Sequence, residues 1–112
     1  MTYKLTVRKG PHVAREKFED LGEAVAALER QVKDIRSAGP LQPKKLFREY
    51  DPGVQVAGRA ELSTGGFLRS GQSAGVDVMG DGSLVAYRGG VRREELDPGQ
   101  DGPFEAVRRA LT

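Results

Sequence analysis

The chain contains no cysteine and only one histidine among its 112 residues. Without cysteine there is no disulfide framework, no thiolate nucleophile and no cysteine-based zinc or iron-sulfur site. The single histidine, His12, follows the turn dipeptide at residues 10–11, and one histidine without clustered acids does not make a metal site. We therefore predict no catalytic residues, no cofactor and no bound metal, and we predict that the protein is not an enzyme.

Long apolar runs are also missing from the sequence. The longest uninterrupted ones, residues 24–28 and 84–87, fall far short of the roughly 20 residues that cross a bilayer. The first residues alternate between polar and apolar types, where a secretory signal would need a continuous apolar run. These features predict a cytoplasmic protein without a membrane segment.

Neither sign of charge dominates, because 18 lysine and arginine residues are set against 16 acids, which leaves a formal net charge of +2. Such a balance is only weak evidence for a polyanionic partner. The hydrophobic fraction of 38% and the charged fraction of 30% allow a modest core and a well-solvated surface. At this length the composition predicts a single domain over residues 1–112.

One stretch has the period of an amphipathic helix. Its apolar residues recur at spacings of four, three, four and three, which places them on one helical face: Leu21, Val25, Leu28, Val32 and Ile35. Asp20, with Glu23 three positions later, has the spacing of a capping box, and Gly39-Pro40 ends helical structure. The pattern predicts a long helix over about residues 20–37.

Strand patterns fill most of the remaining sequence. Tyr3, Leu5 and Val7 alternate with polar residues, which is the period of a half-buried strand, and the run 12–18 is also of extended type. Segments 46–50 and 54–62 also have strand character and are predicted to pair around a turn at 51–53. A second hairpin is predicted from 76–78 and 84–88, with its turn at 80–82. A last short strand is predicted at 91–96.

The C-terminal residues return to a helical pattern. Pro103 suits the first position of a helix, and Phe104, Val107 and Leu111 share one face of a short helix over about residues 103–111. The predicted order of elements is therefore ββ-α-ββ(β)ββ-α. This order indicates an α+β fold that is built on an antiparallel β-sheet.

Two motif matches overlap in the glycine- and serine-rich stretch 66–75. Residues 66–73 have the spacing of a phosphate-binding P-loop, but Gln72 stands where the motif needs its lysine. Residues 71–75 match the nucleophile elbow of serine hydrolases, yet His12 precedes Ser73, the reverse of the order in enzymes that use this elbow. Neither match predicts a site.

A third match is to a calcium-binding loop. Asp77, Asp81 and Gly82 occupy the spacing of its first, fifth and sixth positions, but Met79 and Arg88 stand where oxygen ligands are required. Calcium binding is therefore not predicted. If the protein were an enzyme after all, the acids available for carboxylate chemistry would be Asp77, Asp81 and Glu61.

With site chemistry largely excluded, the sequence favours a small non-catalytic binding or regulatory module that recognises another protein or a second copy of itself, for example at a sheet edge. The alternative is a nucleic-acid-binding or ribosome-associated protein that contacts the phosphate backbone through short basic clusters. The residues of these clusters are Lys44, Lys45, Arg48, Arg92, Arg93, Arg108 and Arg109. Phe67 or Tyr87 would add a stacking surface in that case.

Overall fold

The computed structural model describes residues 2–37, 56–64, 71–89 and 93–112. These residues form six strands and two helices. In chain order the elements are β1 (Tyr3–Lys9), β2 (His12–Phe18), α1 (Leu21–Ser37), β3 (Val56–Ser63), β4 (Ser73–Met79), β5 (Leu84–Arg88), β6 (Glu94–Glu95) and α2 (Pro103–Leu111). The predicted α+β class, the antiparallel sheet and both helices are confirmed.

The strands form one antiparallel sheet in the order β2-β1-β3-β4-β5-β6. β3 lies between β1 and β4, so both of its edges are occupied by these strands. The predicted pairing of 54–62 with 46–50 is therefore wrong, because the partners of β3 are β1 and β4. Residues 46–50 themselves lie outside the described residues. Of the predicted strand 91–96, the described part is a strand only at Glu94–Glu95.

Helix α1 begins where its cap predicts. The carboxylate of Asp20 accepts a hydrogen bond from the amide of Glu23 at 3.0 Å, which satisfies one of the free donors of the first turn. Leu28, Val32 and Ile35 of the predicted face are buried, whereas Leu21 and Val25 are only partly buried. The helix lies mainly across β1 and β3.

Helix α2 covers the other half of the same sheet face. It packs mainly against β4 and β5 and also touches α1, and Pro103 occupies its first turn as predicted. Both helices and the sheet share one buried cluster, in which Leu5, Leu62 and Val107 are among the largest fully buried side chains. No helix within the described ranges has the length and apolar character needed to span a membrane.

Small residues let the helices approach the sheet closely. Seven alanines are buried between the two layers, namely Ala24, Ala27, Ala60, Ala74, Ala86, Ala106 and Ala110. Gly58 has the same role, because a β-carbon there would lie 2.9 Å from Cδ1 of Ile35. Both helices pack on the same face of the sheet. Within the described residues no helix lies on the opposite face, which we call the open face.

Candidate functional site

The open face carries the side chains that point away from both helices. Side chains alternate along a strand, so the neighbours of core residues such as Leu5, Val76 and Ala86 project to the open face. Most of these neighbours are polar or charged, although the two central ones, Asp77 and Tyr87, are each only 2% exposed. The open face thus holds a buried centre and an exposed flank.

The buried centre is a carboxylate that is held by two arginines. Nε of Arg59 lies 2.6 Å from Oδ1 of Asp77, and Arg93 donates a hydrogen bond to Oδ2 of the same carboxylate. Register places Arg59 directly opposite Asp77 on the neighbouring strand. The hydrogen bond to Asp77 is the main reason why the pKa of Arg59 is raised. A charged group so deep in the sheet needs this pairing, since an unpaired buried carboxylate is strongly unfavourable.

Tyr87 completes the centre, and both arginines lie over its ring. Cζ of Arg93 lies 4.2 Å and Cζ of Arg59 lies 5.3 Å from the centroid of its ring, both within cation–π distance. Its hydroxyl donates a hydrogen bond of 2.9 Å to Oε2 of Glu61. The pKa of Tyr87 is raised mainly by burial of the phenol and next by the negative charge of Glu61. The phenol therefore stays protonated and remains a hydrogen-bond donor. We call Asp77, Arg59, Arg93, Tyr87 and Glu61 the Asp77 network.

The Asp77 network is charge-balanced and internally paired. Its two arginines match its two carboxylates, and Asp77 and Glu61 are both engaged by partners within the network. Asp81, the third acid considered for catalysis, accepts hydrogen bonds from the amide and hydroxyl of Ser83, which lower its pKa. We assign the network to the cohesion of β3, β4, β5 and the residue that precedes β6.

The exposed flank of the open face is basic. Lys4 and Arg8 on β1 lie opposite Lys17 and Val13 on β2, and Arg15 stands between the latter two residues on the same face. We call Lys4, Arg8, Arg15 and Lys17 the basic cluster, and all four are exposed. Among the residues that the structure describes, no carboxylate oxygen lies within ion-pairing distance of them. Within the described residues, the cluster therefore presents positive charge that no salt bridge pairs.

Strand β2 forms an edge of the sheet, which we call the β2 edge. It pairs with β1 on one side, and within the described ranges no strand lies on its other side. Six of its seven residues are exposed. A free edge of this length offers a row of backbone donors and acceptors to an incoming strand.

The turn fixes which amides face outward at the β2 edge. Gly10 and Pro11 form a two-residue loop between the paired Lys9 and His12, and Gly10 has a φ of 58°, as the first central position of a type II′ turn requires. Such a loop closes on a hydrogen-bonded pair, and the pairs then alternate along the strands. The even-numbered residues 12 to 18 thus bond to β1, whereas the backbone groups of Val13, Arg15 and Lys17 point outward.

Beneath the β2 edge, on the helix side, lies a cleft of about 230 Å³ between β1, β2 and α1. We call it the β2 cleft. Its lining residues are Leu5, Val7, Ala14, Arg15, Glu16 and Gln31. Apolar side chains form its floor, and Arg15, Glu16 and Gln31 lie around its rim.

The basic residues predicted from sequence do not share one surface in the described part of the chain. Arg93 lies on the open face within the Asp77 network. Arg108 and Arg109 lie on α2, in the opposite layer, where Glu105 and Asp101 approach them at 3.9 and 3.3 Å. Lys44, Lys45, Arg48 and Arg92, and also Phe67, lie outside the described residues. Tyr87 is buried and offers no stacking surface.

Sequence reasoning missed the basic cluster because it searched for adjacent basic residues. On a strand, adjacent side chains point to opposite faces, so a cluster arises from alternate positions such as Arg15 and Lys17. The signal was present in the alternation of β1, whose polar positions include Lys4 and Arg8. The pairing of Asp77 with Arg59 and Arg93 had no local signal, since 18 and 16 residues separate the partners.

Within residues 2–37, 56–64, 71–89 and 93–112, no three histidine or acidic side chains come together as metal ligands. The chain matches no protein-family model, no curated protein and no solved structure. Function is therefore inferred from the geometry of the open face and the β2 edge.

Proposed function

We propose that this chain is a small non-catalytic binding module that recruits a partner protein by adding an extended segment of that partner to the β2 edge. The observation that carries the proposal is that β2, six of whose seven residues are exposed, pairs on one side only within the described residues. Strand addition of this kind draws affinity from main-chain hydrogen bonds and specificity from alternate side chains.

A partner other than a second copy is favoured by the charges on β2. In one pairing, two copies of β2 run antiparallel with their helices on the same side of the joined sheet, and Arg15 lies at the centre. Arg15 then faces Arg15 of the second copy, and Val13 faces Lys17. Like charges directly opposite one another destabilise a strand pair. The basic cluster thus disfavours self-pairing of β2 in this register.

The non-catalytic part of the proposal is supported by the state of the acids. Asp77 and Glu61 are committed to the Asp77 network, and Asp81 is committed to its own turn. A general acid or base needs a group that is free to exchange a proton with a substrate.

A second candidate, binding to the phosphate backbone of a nucleic acid, is favoured by the basic cluster itself. Four exposed cations on one sheet face are sufficient for contacts with successive phosphates. Because the described open face offers no exposed aromatic ring, such binding would rest on charge and would weaken steeply as salt is raised.

A proline at Val13 tests the main proposal. Val13→Pro removes an amide that points outward, so pairing with β1 and the melting temperature should change little. Peptides selected on the wild-type protein from a random displayed library should bind this variant at least about tenfold more weakly, because the incoming strand loses one hydrogen bond and keeps an unpaired carbonyl.

Two matched variants control this experiment. Val13→Thr keeps the amide and the β-branched shape and should bind the selected peptides as the wild type does. Ala14→Pro removes an amide that bonds to β1 and should lower the melting temperature. If Val13→Pro and the wild type bind the selected peptides equally well, the β2 edge is not the binding site.

A further inference from the structure

We propose that the segment that adds to the β2 edge is an acidic one, in which acidic residues alternate with apolar residues. This inference rests on the proposed function, and it names the chemistry of the partner. It follows from the different character of the two sides of β2, because the side chains of an added strand would alternate between them.

On the open-face side, the added strand would meet positive charge. Its residues opposite Arg15 and Lys17 would lie about 5 Å away between β-carbons, within reach of an ion pair. On β1, which lies one strand further from the added strand, Lys4 is opposite Lys17 and Arg8 is opposite Val13. Carboxylates at these positions of the partner would be attracted by all four members of the basic cluster.

On the helix side, the added strand would meet the β2 cleft. Ala14 and Glu16 of β2 project to this side, and Leu5 and Val7 form the floor of the cleft. An acidic side chain here would face Glu16, whereas an apolar one would pack against Ala14 over the cleft. The helix side therefore selects apolar residues at the positions between the acids.

The two sides together specify a pattern and not merely a net charge. A segment with the same composition but with its acids grouped would place some carboxylates beside Glu16 and some apolar groups in the basic cluster. Alternation is thus the feature that distinguishes strand addition from general attraction between opposite charges.

The test uses labelled peptides of seven residues, the length of β2, and measures fluorescence anisotropy with the full chain. One peptide alternates glutamate with valine, and three controls alternate glutamine with valine, alternate lysine with valine, or group the glutamates before the valines. We expect the alternating glutamate peptide to bind at least about tenfold more tightly than each control at low ionic strength.

A charge reversal provides the second arm. Arg15→Glu combined with Lys17→Glu should invert the preference, so that the lysine–valine peptide binds best. The matched control is Arg30→Glu combined with Lys33→Glu, which makes the same change in net charge at exposed positions of α1 and should leave the preference unchanged.

The outcomes separate this inference from the proposed function. Equal binding of the glutamate and glutamine peptides, with both lost in Val13→Pro, would overturn the acidic pattern and leave the β2 edge as the binding site. Glutamate-peptide binding that Val13→Pro does not weaken, or no binding by any peptide, would overturn both. A third result would assign the basic cluster to nucleic acid instead. In that case single-stranded RNA binds the wild-type protein more tightly than every peptide does, and the variant that combines Arg15→Glu with Lys17→Glu no longer binds the RNA.

Discussion

Replacing Leu28 with aspartate is expected to leave the protein unfolded at room temperature. Leu28 is 0% exposed at the centre of the layer between α1 and the sheet. Loss of its packing alone costs about 2–5 kcal/mol, and an unpaired carboxylate at the same place adds several kcal/mol. The sum reaches the whole stability of a typical small domain, about 5–15 kcal/mol. Circular dichroism and the dispersion of amide signals in NMR spectra measure the outcome.

Ala26→Asp is the matched control for this variant. Residue 26 lies on the exposed side of the same helix, so the substitution adds the same charge without burying it. It should cost less than about 1 kcal/mol through helix propensity. A Leu28→Asp protein that melts as the Ala26→Asp protein does would show that α1 packs on the sheet through a different face.

The second large effect is expected at Gly75, where even alanine should lower the free energy of unfolding by about 3 kcal/mol. A β-carbon at Gly75 would overlap the carbonyl oxygen of Ala60 and would lie 2.8 Å from Cα of Glu61 and 2.9 Å from the hydroxyl of Tyr87. Two of these contacts are with the backbone of β3, so β3 and β4 would have to separate in the middle of the sheet. Chemical denaturation measures the loss.

Gly22→Ala serves as the comparison for Gly75→Ala. Gly22 is exposed in the first turn of α1, and its added β-carbon would approach only the flexible carboxylate of Asp20, at 3.1 Å. The expected change in stability is within about 1 kcal/mol. Equal stability of the two variants would mean that the strands are less tightly paired at Gly75 than the structure shows.

The long helix was predictable because its signal is local. Spacing between large apolar residues located α1, and Asp20 located its start. The alanines that fill the helix–sheet layer were not predictable in the same way, since alanine is common on both exposed and buried helix faces. The close approach of α1 to the sheet, shown by the contact that a β-carbon at Gly58 would make with Ile35, favours small residues such as Ala24 and Ala27 on its buried side.

The neighbours in the sheet were less predictable than the strands themselves. Turn residues predicted the pairing of β4 with β5 correctly, because Asp81 and Gly82 close a short hairpin. They predicted the wrong neighbour for β3, because sequence proximity favoured a hairpin, whereas β3 pairs with β1 and β4 and buries its core side chains beneath the helices. Non-local pairing is decided by the burial of a whole face, which no single turn reports.

The candidate site also depends on sheet register. The basic cluster requires Lys4 to face Lys17 and Arg8 to face Val13, and this register follows from the two-residue loop at residues 10–11. Once that hairpin is known, the alternation of its residues predicts both the positive open face and the outward amides. Asp77 offered no such signal, because an acid between two valines has the alternation of a half-buried strand, which predicts an exposed carboxylate.

Amide hydrogen exchange along β2 tests most directly the central claim that a partner strand adds to the β2 edge. The account predicts that the amides of Val13, Arg15 and Lys17 exchange rapidly in the free protein and at least about tenfold more slowly with the glutamate–valine peptide bound. The amides of Ala14 and Glu16, which already bond to β1, should change little. Binding of the peptide without slower exchange at Val13, Arg15 and Lys17 would contradict the claim.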